Sequence, residues 1–547
     1  MEGKGKVFLR DATGLVRAWS VRDAFYYVVL QLSVGLWILF TISTNAYAYP
    51  GGSPLLGGIF ATALFAIPSA VYAMLMVAMP RSGGDYVFQT RVLNQVPFMP
   101  LISYMAIGLW LIGNAWFIPF VWSAVGGGAW APFLAVLGVE TGNQSLISLA
   151  GWITTPYAVF LFGFVIVGWM WLVNAFGMRA YAKVQFVFFW CAIIFSVLYY
   201  GWILFTPTQT FINSFNAISP ALGGPSTNAY QGIISLAAQN GFSPDYSFSW
   251  TQSLGHIASW SAVMVIGYYT ALGAEIKSAN SLSSQMKISV GACIIVGLLN
   301  TILVVGVNNL VGIQFNAAAG YLNFIGKWPL TVPPYAGLYT MALGGGLILP
   351  LIALLYFNSW TWMNYPNVIP YNTRISMAMA FDRMLPEKMA AVNERFHIPL
   401  FNVNVWCLAT LGLIFLAYYL PTFSELFLLD SFCLSTVIIL SCLAGVFLPY
   451  SKSARQAYIS SGLSKYKVGN IPVITILGII SVLIELFVDY SLLSNPLLGV
   501  AGGNLAFSGG FTGIIALFFG LIFVFYKYHN KRRGIDVSQA FQQIPPE

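Results

Sequence analysis

Long runs without a charged residue constrain this chain more than any other feature. From Pro54 to Met79, no Asp, Glu, Lys or Arg interrupts the sequence. Apolar residues make up 58% of the chain and charged residues only 7%, whereas soluble proteins contain roughly 25% charged residues. A chain of this composition must face lipid, and ~20 apolar residues are enough for a helix that crosses the hydrocarbon. We therefore predict an all-α integral membrane protein.

The apolar runs predict twelve transmembrane helices. They show no strict alternation of apolar and polar residues, so they favour helices over a barrel. The predicted spans cover residues 24–48, 54–79, 97–125, 153–176, 181–206, 251–274, 285–312, 335–363, 400–420, 424–449, 471–490 and 508–528. The first 22 residues lack the short apolar core of a signal peptide, so we expect the first span to act as the insertion signal.

The basic residues indicate how these spans are oriented. Lys and Arg accumulate in the cytoplasmic loops of membrane proteins. With the N-terminus inside, all but one of the 24 Lys and Arg residues fall in predicted cytoplasmic segments, and the exception is Lys327. This predicts a cell-membrane protein with both termini cytoplasmic. The net charge of +8 then reflects topology and anionic lipid headgroups rather than a nucleic acid partner.

Twelve spans are typical of secondary transporters, which are often built from two halves inverted in the membrane. Here we expect spans 1–5 and 6–10 to be these two halves, a five-plus-five inverted repeat with two helices appended. The predicted parts are a cytoplasmic N-terminal segment (1–22), the first half (23–206), an external loop (207–250), the second half (251–449), spans 11 and 12 (450–528) and a cytoplasmic tail (529–547).

Small residues in matching spans of the two halves point to a binding site. Ser33 and Gly35 lie in the middle of span 1, and Ser259, Ser261 and Gly267 interrupt span 6. A broken helix presents free N–H groups at one end and free C=O groups at another, which can hold a carboxylate and an ammonium group without charged side chains. The alternative is close helix packing, which small residues also favour.

Three predicted cytoplasmic turns resemble those of the amino acid–polyamine–organocation (APC) transporters. PRSGGDY (80–86) resembles the turn after span 2 of that family. GYYTALGAEIKSANSLSSQMKIS (267–289) is similar to the exit from its span 6, and RISMAMAFDRMLPEKMAAVNERFHIP (374–399) to its loop between spans 8 and 9. The matches follow the family order from about Asp23 to Pro399.

The resemblance implies alternating access and a substrate with an amino or organic-cation group, bound at the breaks in spans 1 and 6. The implied binding residues are Ser33, Val34, Gly35, Leu36 and Trp37 in span 1, and Trp260, Ser261, Gly267 and Tyr268 in span 6. Ser33 stands where the family pattern has a glycine, and Val34 stands where it has a small residue. Span 6 lacks an acidic residue for a dibasic substrate, so we expect a neutral amino acid.

The PRSGGDY turn is expected at the inner gate. Gly83 and Gly84 permit a tight turn that side chains would obstruct. Arg81 would hold the turn at the inner surface, and the resemblance suggests that the turn, with Asp85, docks near the gate. The alternative is a topological anchor without a role in gating.

Sodium and the proton are the two candidate coupling ions. Sodium prefers oxygen ligands, which Ser359 and Thr361 of span 8 would supply. Asp430 lies deep in span 10 and is a candidate proton relay, since ionisable groups at such depth are functional candidates. The alternatives are hydroxyls bonded to their own helix and a structural hydrogen bond from Asp430. The lysine that proton-coupled relatives often carry in span 5 is absent near Cys191.

Other functions find less support in the sequence. It contains no HExxH or GxSxG motif and no Cys/His dyad at a useful depth, so we predict neither an enzyme nor a cofactor. All five cysteines fall inside predicted spans, without a disulfide or metal motif. A polyamine or organocation transporter or exchanger, and a non-transporting channel or sensor of the same fold, are the alternatives. The sequence does not indicate the oligomeric state.

Overall fold

The structure is a computed structural model that describes residues 14–35, 37–261, 263–264, 266–344, 346–420, 429–498 and 505–544. The helices are α1 (Val21–Leu32), α2 (Trp37–Ala48), α3 (Pro54–Ala78), α4 (Gly84–Val92), α5 (Met99–Trp116), α6 (Ile118–Val125), α7 (Ala131–Thr141), α8 (Gln144–Ile153), α9 (Pro156–Ala175), α10 (Met178–Phe205), α11 (Thr208–Ile218), α12 (Ala229–Gln239), α13 (Trp250–Trp260), α14 (Leu282–Met286), α15 (Ala292–Val311), α16 (Ile313–Phe324), α17 (Ala336–Met341), α18 (Ile348–Phe381), α19 (Leu400–Tyr419), α20 (Leu429–Phe447), α21 (Arg455–Ser460), α22 (Val473–Ser494), α23 (Leu505–Arg532) and α24 (Ser538–Gln542). In these ranges the strands are limited to a hairpin of β1 (Lys467–Val468) and β2 (Ile471–Pro472). The predicted all-α membrane fold is confirmed.

Among the described residues, 10 helical stretches are long and apolar enough to cross a membrane. Those that match predicted spans are Pro54–Ala78, Met99–Trp116, Pro156–Ala175, Met178–Phe205, Leu282–Val311, Leu400–Tyr419, Leu429–Tyr450, Val473–Ser494 and Ala506–Arg532. The remaining stretch, Trp122–Thr141, continues the third span beyond its predicted end. The predicted spans 1, 6 and 8 do not correspond to any of these stretches.

The first and sixth spans are broken, as the small residues in them suggested. α1 ends at Leu32 and α2 begins at Trp37. α13 ends at Trp260, and the described residues from 261 to 281 form turns around one short 3-10 helix, Tyr268–Ala271. The two breaks lie in the matching spans of the two predicted halves, and the inverted repeat stays a prediction.

The second half of span 6 is not the helix to residue 274 that we predicted. Gly267 has a φ of 100°, outside the right-handed helical region. Farther on, Leu272 and Ile276 form isolated bridges with Ser82 and Trp19. The backbone is therefore hydrogen-bonded to neighbouring segments instead of its own helix, which the apolar pattern of the span does not reveal.

Span 8 lies later in the chain than predicted, because α18 continues through Pro366 and Pro370. A proline inside a helix leaves the carbonyl four residues earlier without its donor. Trp169 Nε1 donates to the carbonyl of Trp362 at 2.7 Å, and Asn174 Nδ2 donates to that of Pro366 at 3.0 Å. Side chains of α9 thus satisfy both freed carbonyls, and the helix does not have to end.

Two predicted connections between spans contain helices. Residues 207–250 include α11 and α12, and residues 126–153 include α7 and α8. A five-residue π-helical stretch, Gly126–Trp130, joins α6 to α7. α16 packs against both α2 and α12, and α7 packs against α17. α16 therefore joins α12 to α2, the second half of the broken first span.

The segments that were predicted to be cytoplasmic meet at one end of the bundle, which we call the basic end. Trp19 Nε1 donates to the carbonyl of Met178 at 2.8 Å, and Arg91 Nε donates to that of Gln543 at 3.2 Å. Contacts of this kind join the N-terminal segment, the basic loops and the C-terminal segment. The assignment of this end to the cytoplasm stays a prediction from the distribution of charge.

Candidate functional site

The break in span 1 is built into the backbone. Ser33 has a φ of 54° and Gly35 a φ of 112°, and a right-handed helix cannot continue through such residues. A Cβ atom on Gly35 would lie 3.4 Å from Tyr356 Cε1 and 3.5 Å from Phe357 Cδ1. Both the conformation and the close approach of α18 therefore favour glycine at this position.

Two amides from other helices bind the carbonyls at the end of α1. The last carbonyls of a helix have no partner within it. Asn364 Nδ2 donates to the carbonyls of Leu30 and Gln31 at 3.3 and 2.8 Å, and Asn300 Nδ2 donates to that of Ser33 at 3.4 Å. Neither asparagine belongs to the site residues that the sequence predicts. The sequence signal that could have identified them is an amide side chain within a long apolar helix, α15 for Asn300 and α18 for Asn364.

Several buried polar atoms beside the breaks have no hydrogen-bond partner among the described residues. They are Ser33 Oγ, Asn300 Oδ1, Asn364 Oδ1 and Trp260 Nε1. Each of these side chains is at most 1% exposed. Buried polar groups are nearly always hydrogen-bonded in folded proteins, and exceptions often belong to functional sites. Both donors and acceptors are present, as a zwitterionic ligand requires.

Hydroxyl groups join α2 of the first broken span to α13 of the sixth. Thr41 Oγ1 donates to the carbonyl of Ser259 at 3.3 Å, and Ser259 Oγ donates to Asn45 Oδ1. Ser261 Oγ donates to a carbonyl of its own helix at 2.6 Å. The predicted residues Ser261 and Trp260 thus lie at the end of α13, which is attached to α2.

The remaining predicted residues of span 1 are only partly described. Val34 is fully buried between α1 and α2. Leu36 and the side chain of Trp37 lie outside the described residues. Their predicted contact with substrate stays a prediction.

Gly267 and Tyr268 pack into the neighbouring helices. A Cβ atom on Gly267 would lie 2.7 Å from Tyr72 Cε1, so any other residue would displace that ring. The Tyr268 hydroxyl donates to Asn114 Oδ1, and Asn114 Nδ2 donates to Asn372 Oδ1 at 3.1 Å. Tyr268 is therefore bound to a pair of amides on α5 and α18.

The candidate coupling residues occupy two separate places. Ser359 and Thr361 each donate to the carbonyl four residues earlier in α18, at 2.6 and 2.7 Å. Asp430 lies against α5, because a Cβ atom on Gly113 would be 3.0 Å from Asp430 Oδ1. The next residue of α5, Asn114, holds Tyr268. Asp430 is thus close to the span 6 break, whereas the ion-binding roles stay predictions.

The glycine pair of the PRSGGDY turn permits close contact with the exit of span 6. Gly83 and Gly84 have φ values of 102° and 36°. A Cβ atom on Gly83 would lie 2.5 Å from the Cβ of Ala378, and one on Gly84 would lie 2.8 Å from the amide nitrogen of Ala271. The Gly83 amide donates to the Ala271 carbonyl at 3.1 Å. The turn, which includes Arg81, therefore packs between span 6 and α18.

Asp85 follows this turn and accepts hydrogen bonds from three hydroxyl groups. Tyr72 and Ser441 donate to Oδ1, each at 2.6 Å, and Tyr371 donates to Oδ2 at 2.8 Å. Asp85 is only 2% exposed, and burial raises the pKa of its carboxyl even though the hydroxyls oppose the shift. Asp85 thus joins α4 to α3, α18 and α20.

Two buried ion pairs lie beside this turn. Arg374 binds Glu275 with Nε 2.7 Å from Oε1 and Nη2 3.0 Å from Oε2. Arg91 Nη2 lies 2.6 Å from Asp382 Oδ2, to which the Tyr86 hydroxyl also donates at 2.9 Å. The sequence predicts that these residues lie in cytoplasmic turns, but it does not show how they pair. Their pairing depends on the approach of segments far apart in the chain.

The N-terminal segment is attached to the same region. The Trp19 amide donates to the carbonyl of Glu275 at 3.0 Å, and the Lys277 amide donates to the carbonyl of Trp19 at 2.8 Å. The base of α1 is therefore bound through its backbone to the exit of span 6. Both broken spans thus reach the Glu275–Arg374 ion pair.

Comparison with known families agrees with the architecture. A comparison with curated proteins gives no match. The amino acid permease family matches residues 24–496, which include both broken spans and the buried ion pairs. The match covers most of the chain, and transport of small molecules, not catalysis, is the activity of this family. The chain therefore belongs to the amino acid permease family of the APC superfamily.

Proposed function

We propose that this permease moves a neutral amino acid across the cell membrane by alternating access, with the substrate bound at the breaks of spans 1 and 6 and both termini cytoplasmic. The observation that carries the proposal is the set of buried polar atoms without partners among the described residues at these breaks, on Ser33, Asn300, Asn364 and Trp260. An amino acid backbone offers both donors and acceptors to such atoms.

The charge of the region favours a substrate without net charge. No Asp, Glu, Lys or Arg occurs between Ala24 and Pro80 or between Tyr246 and Ala274. The start of α2 carries a partial positive charge, and the ends of α1 and α13 carry partial negative charges. These helix ends complement a carboxylate and an ammonium group. A dibasic substrate would bring a second cation that lacks a carboxylate partner in these two segments.

For coupling, we propose a proton carried by Asp430. Its carboxylate lies beside Gly113, next to the asparagine that holds Tyr268, so a change in its charge would act close to the span 6 break. The hydroxyls of Ser359 and Thr361, in contrast, already donate within α18. Asp430→Asn should abolish the stimulation of uptake by an imposed proton gradient. Proton stimulation that persists in this variant would contradict the proposal, and so would stimulation by a sodium gradient instead.

The decisive test is uptake by the purified protein in liposomes. The panel contains labelled neutral amino acids, a dibasic amino acid and a polyamine, with proton and sodium gradients imposed separately. Gly35→Ala should reduce uptake at least about tenfold, because alanine is strained at this backbone conformation. The matched control is Gly201→Ala in α10, where a Cβ atom would meet nothing within 4 Å. Its uptake should equal that of the wild type.

Three results would contradict the proposal. Uptake of the polyamine without any neutral amino acid would favour an organocation transporter. Equal uptake by Gly35→Ala and Gly201→Ala would remove the span 1 break from the binding site. No uptake of any compound under any gradient or preload would argue against transport of amino acids by this chain.

A further inference from the structure

A cavity of about 1020 Å³ lies at the basic end. Its walls come from the residues before and at the start of α5, the end of α23 and the short helix α24. The side chains that matter for the argument are Phe98, Leu101, Lys452, Val524, Lys527 and Lys531. None of them belongs to the candidate substrate site.

One part of the cavity wall is cationic. Lys527 and Lys531 lie one helical turn apart on α23 and so point to the same side, and Lys452 comes from the segment after α20. No Asp or Glu is among the described residues of the lining. Asp536 is an acid that interacts with two of these lysines: hydrogen bonds from Ser538 chiefly lower the pKa of its carboxyl, and Lys527 and Lys531 add to the shift. The three lysines outnumber this single carboxylate.

The other part of the wall is apolar and exposed. Phe98 at the start of α5 is 76% exposed, and Val524 of α23 is 55% exposed. Tyr528, one turn beyond Val524, is 56% exposed. Aromatic residues at the end of a membrane helix are typical of the boundary between hydrocarbon and headgroups. The cavity therefore combines a cationic patch with an apolar surface, at the expected boundary of the membrane.

We propose that this cavity binds an anionic phospholipid of the leaflet that faces the basic end. The three lysines would bind the phosphate and headgroup, and Phe98, Leu101 and Val524 would contact the first part of an acyl chain. A free phosphate ion would leave the apolar wall without a ligand, and a zwitterionic lipid would leave the lysines without net negative charge. The distribution of Lys and Arg predicts that this leaflet is cytoplasmic, where anionic lipids are concentrated.

The site is connected to the Arg91–Asp382 ion pair. Phe541 and Gln542 of α24 line the cavity, and Asn94 Nδ2 donates to the carbonyl of Phe541 at 2.6 Å. The guanidinium of Arg91 lies 5.7 Å from the ring centre of Phe541. A lipid in the cavity would therefore hold α24 against α4, and we expect it to raise the thermal unfolding midpoint.

The experiment measures lipid binding to the purified full chain in detergent by native mass spectrometry. The probes are dioleoyl phosphatidylglycerol, dioleoyl phosphatidylcholine and glycerol 3-phosphate. The test variant is Lys452→Gln/Lys527→Gln/Lys531→Gln. The matched control is Lys277→Gln/Lys465→Gln/Lys467→Gln, which removes the same charge from exposed positions of the same face outside the cavity.

We expect phosphatidylglycerol to bind more tightly than phosphatidylcholine and to raise the unfolding midpoint. The test variant should lose roughly fivefold in affinity for each lysine removed, whereas the control should bind as the wild type does. Phe98→Ser should weaken binding without changing any charge. The proposal is overturned if both triple variants bind equally, if the two lipids bind equally, or if glycerol 3-phosphate displaces the lipid at equal concentration. These outcomes do not depend on transport activity.

Discussion

Arg374 and Glu275 form a bidentate ion pair at the point where α18 meets the exit of span 6. Two bonds of 2.7 and 3.0 Å join their side chains, and each residue is 1% exposed. Removing two charges from water is costly, and only good geometry and further hydrogen bonds offset this cost. Arg374 Nη1 also donates to Thr373 Oγ1 at 2.9 Å. The pair therefore joins the two elements strongly only while both partners are present.

Arg374→Gln should destabilise the protein, because it leaves the Glu275 carboxylate buried without its cation. The expected loss in the free energy of unfolding is about 3–5 kcal/mol, seen as a lower thermal unfolding midpoint in detergent. Lys277→Gln, an exposed position nearby, is the control and should change the midpoint little. Arg374→Gln/Glu275→Gln should recover part of the loss. A double variant less stable than Arg374→Gln would contradict this account.

Gly83→Ala separates steric conflict from backbone strain when it is compared with Gly462→Ala. Both glycines have positive φ, 102° and 75°, where alanine costs about 1–2 kcal/mol. A Cβ atom on Gly83 would also lie 2.5 Å from that of Ala378, whereas one on Gly462 meets nothing within 4 Å. Gly83→Ala should therefore lower the unfolding midpoint more than Gly462→Ala. Equal midpoints would mean that the turn adapts to the added methyl group.

Asp85 should make stability depend on pH. Burial raises the pKa of its carboxyl above the ordinary value of 3.8, so the folded protein binds the proton more tightly than the unfolded chain. Stability then falls as pH rises from that value through the raised pKa, because the unfolded state loses its proton first. Asp85→Asn should reduce this fall, measured as the unfolding midpoint across the pH range. A wild-type unfolding midpoint that rises with pH over this range would refute the prediction.

Trp169→Phe should destabilise the protein only because of the proline in α18. The substitution removes the donor to the carbonyl of Trp362, to which Pro366 cannot donate because it has no N–H. The expected loss in the free energy of unfolding is about 1 kcal/mol. Trp171→Phe, on the exposed side of the same helix, should cost less. In a Pro366→Ala background the helix can supply its own donor, so the effect of Trp169→Phe should vanish. The measurement is a double-mutant cycle on unfolding midpoints.

The sequence predicted the all-α fold and most span positions, because lipid exposure requires long apolar helices and their lengths are readable from composition. It also located the breaks at Ser33, Gly35 and Gly267, since serine and glycine stand out in apolar spans. It ended span 8 at residue 363, whereas α18 continues through two prolines to Phe381. The indole of Trp169 that satisfies the freed carbonyl is far away in sequence.

The sequence by itself determined that this chain is a multi-pass membrane protein and to which family it belongs, and it predicts which segments face each side of the membrane. Those properties follow from composition and short motifs, which act locally. Only the tertiary structure decided that Asn364 binds the carbonyls of α1 and that Arg374 pairs with Glu275. It also decided that Asp85 accepts hydrogen bonds from three hydroxyl groups. Each of these contacts joins residues from different helices, and their geometry depends on packing that no single stretch of sequence specifies.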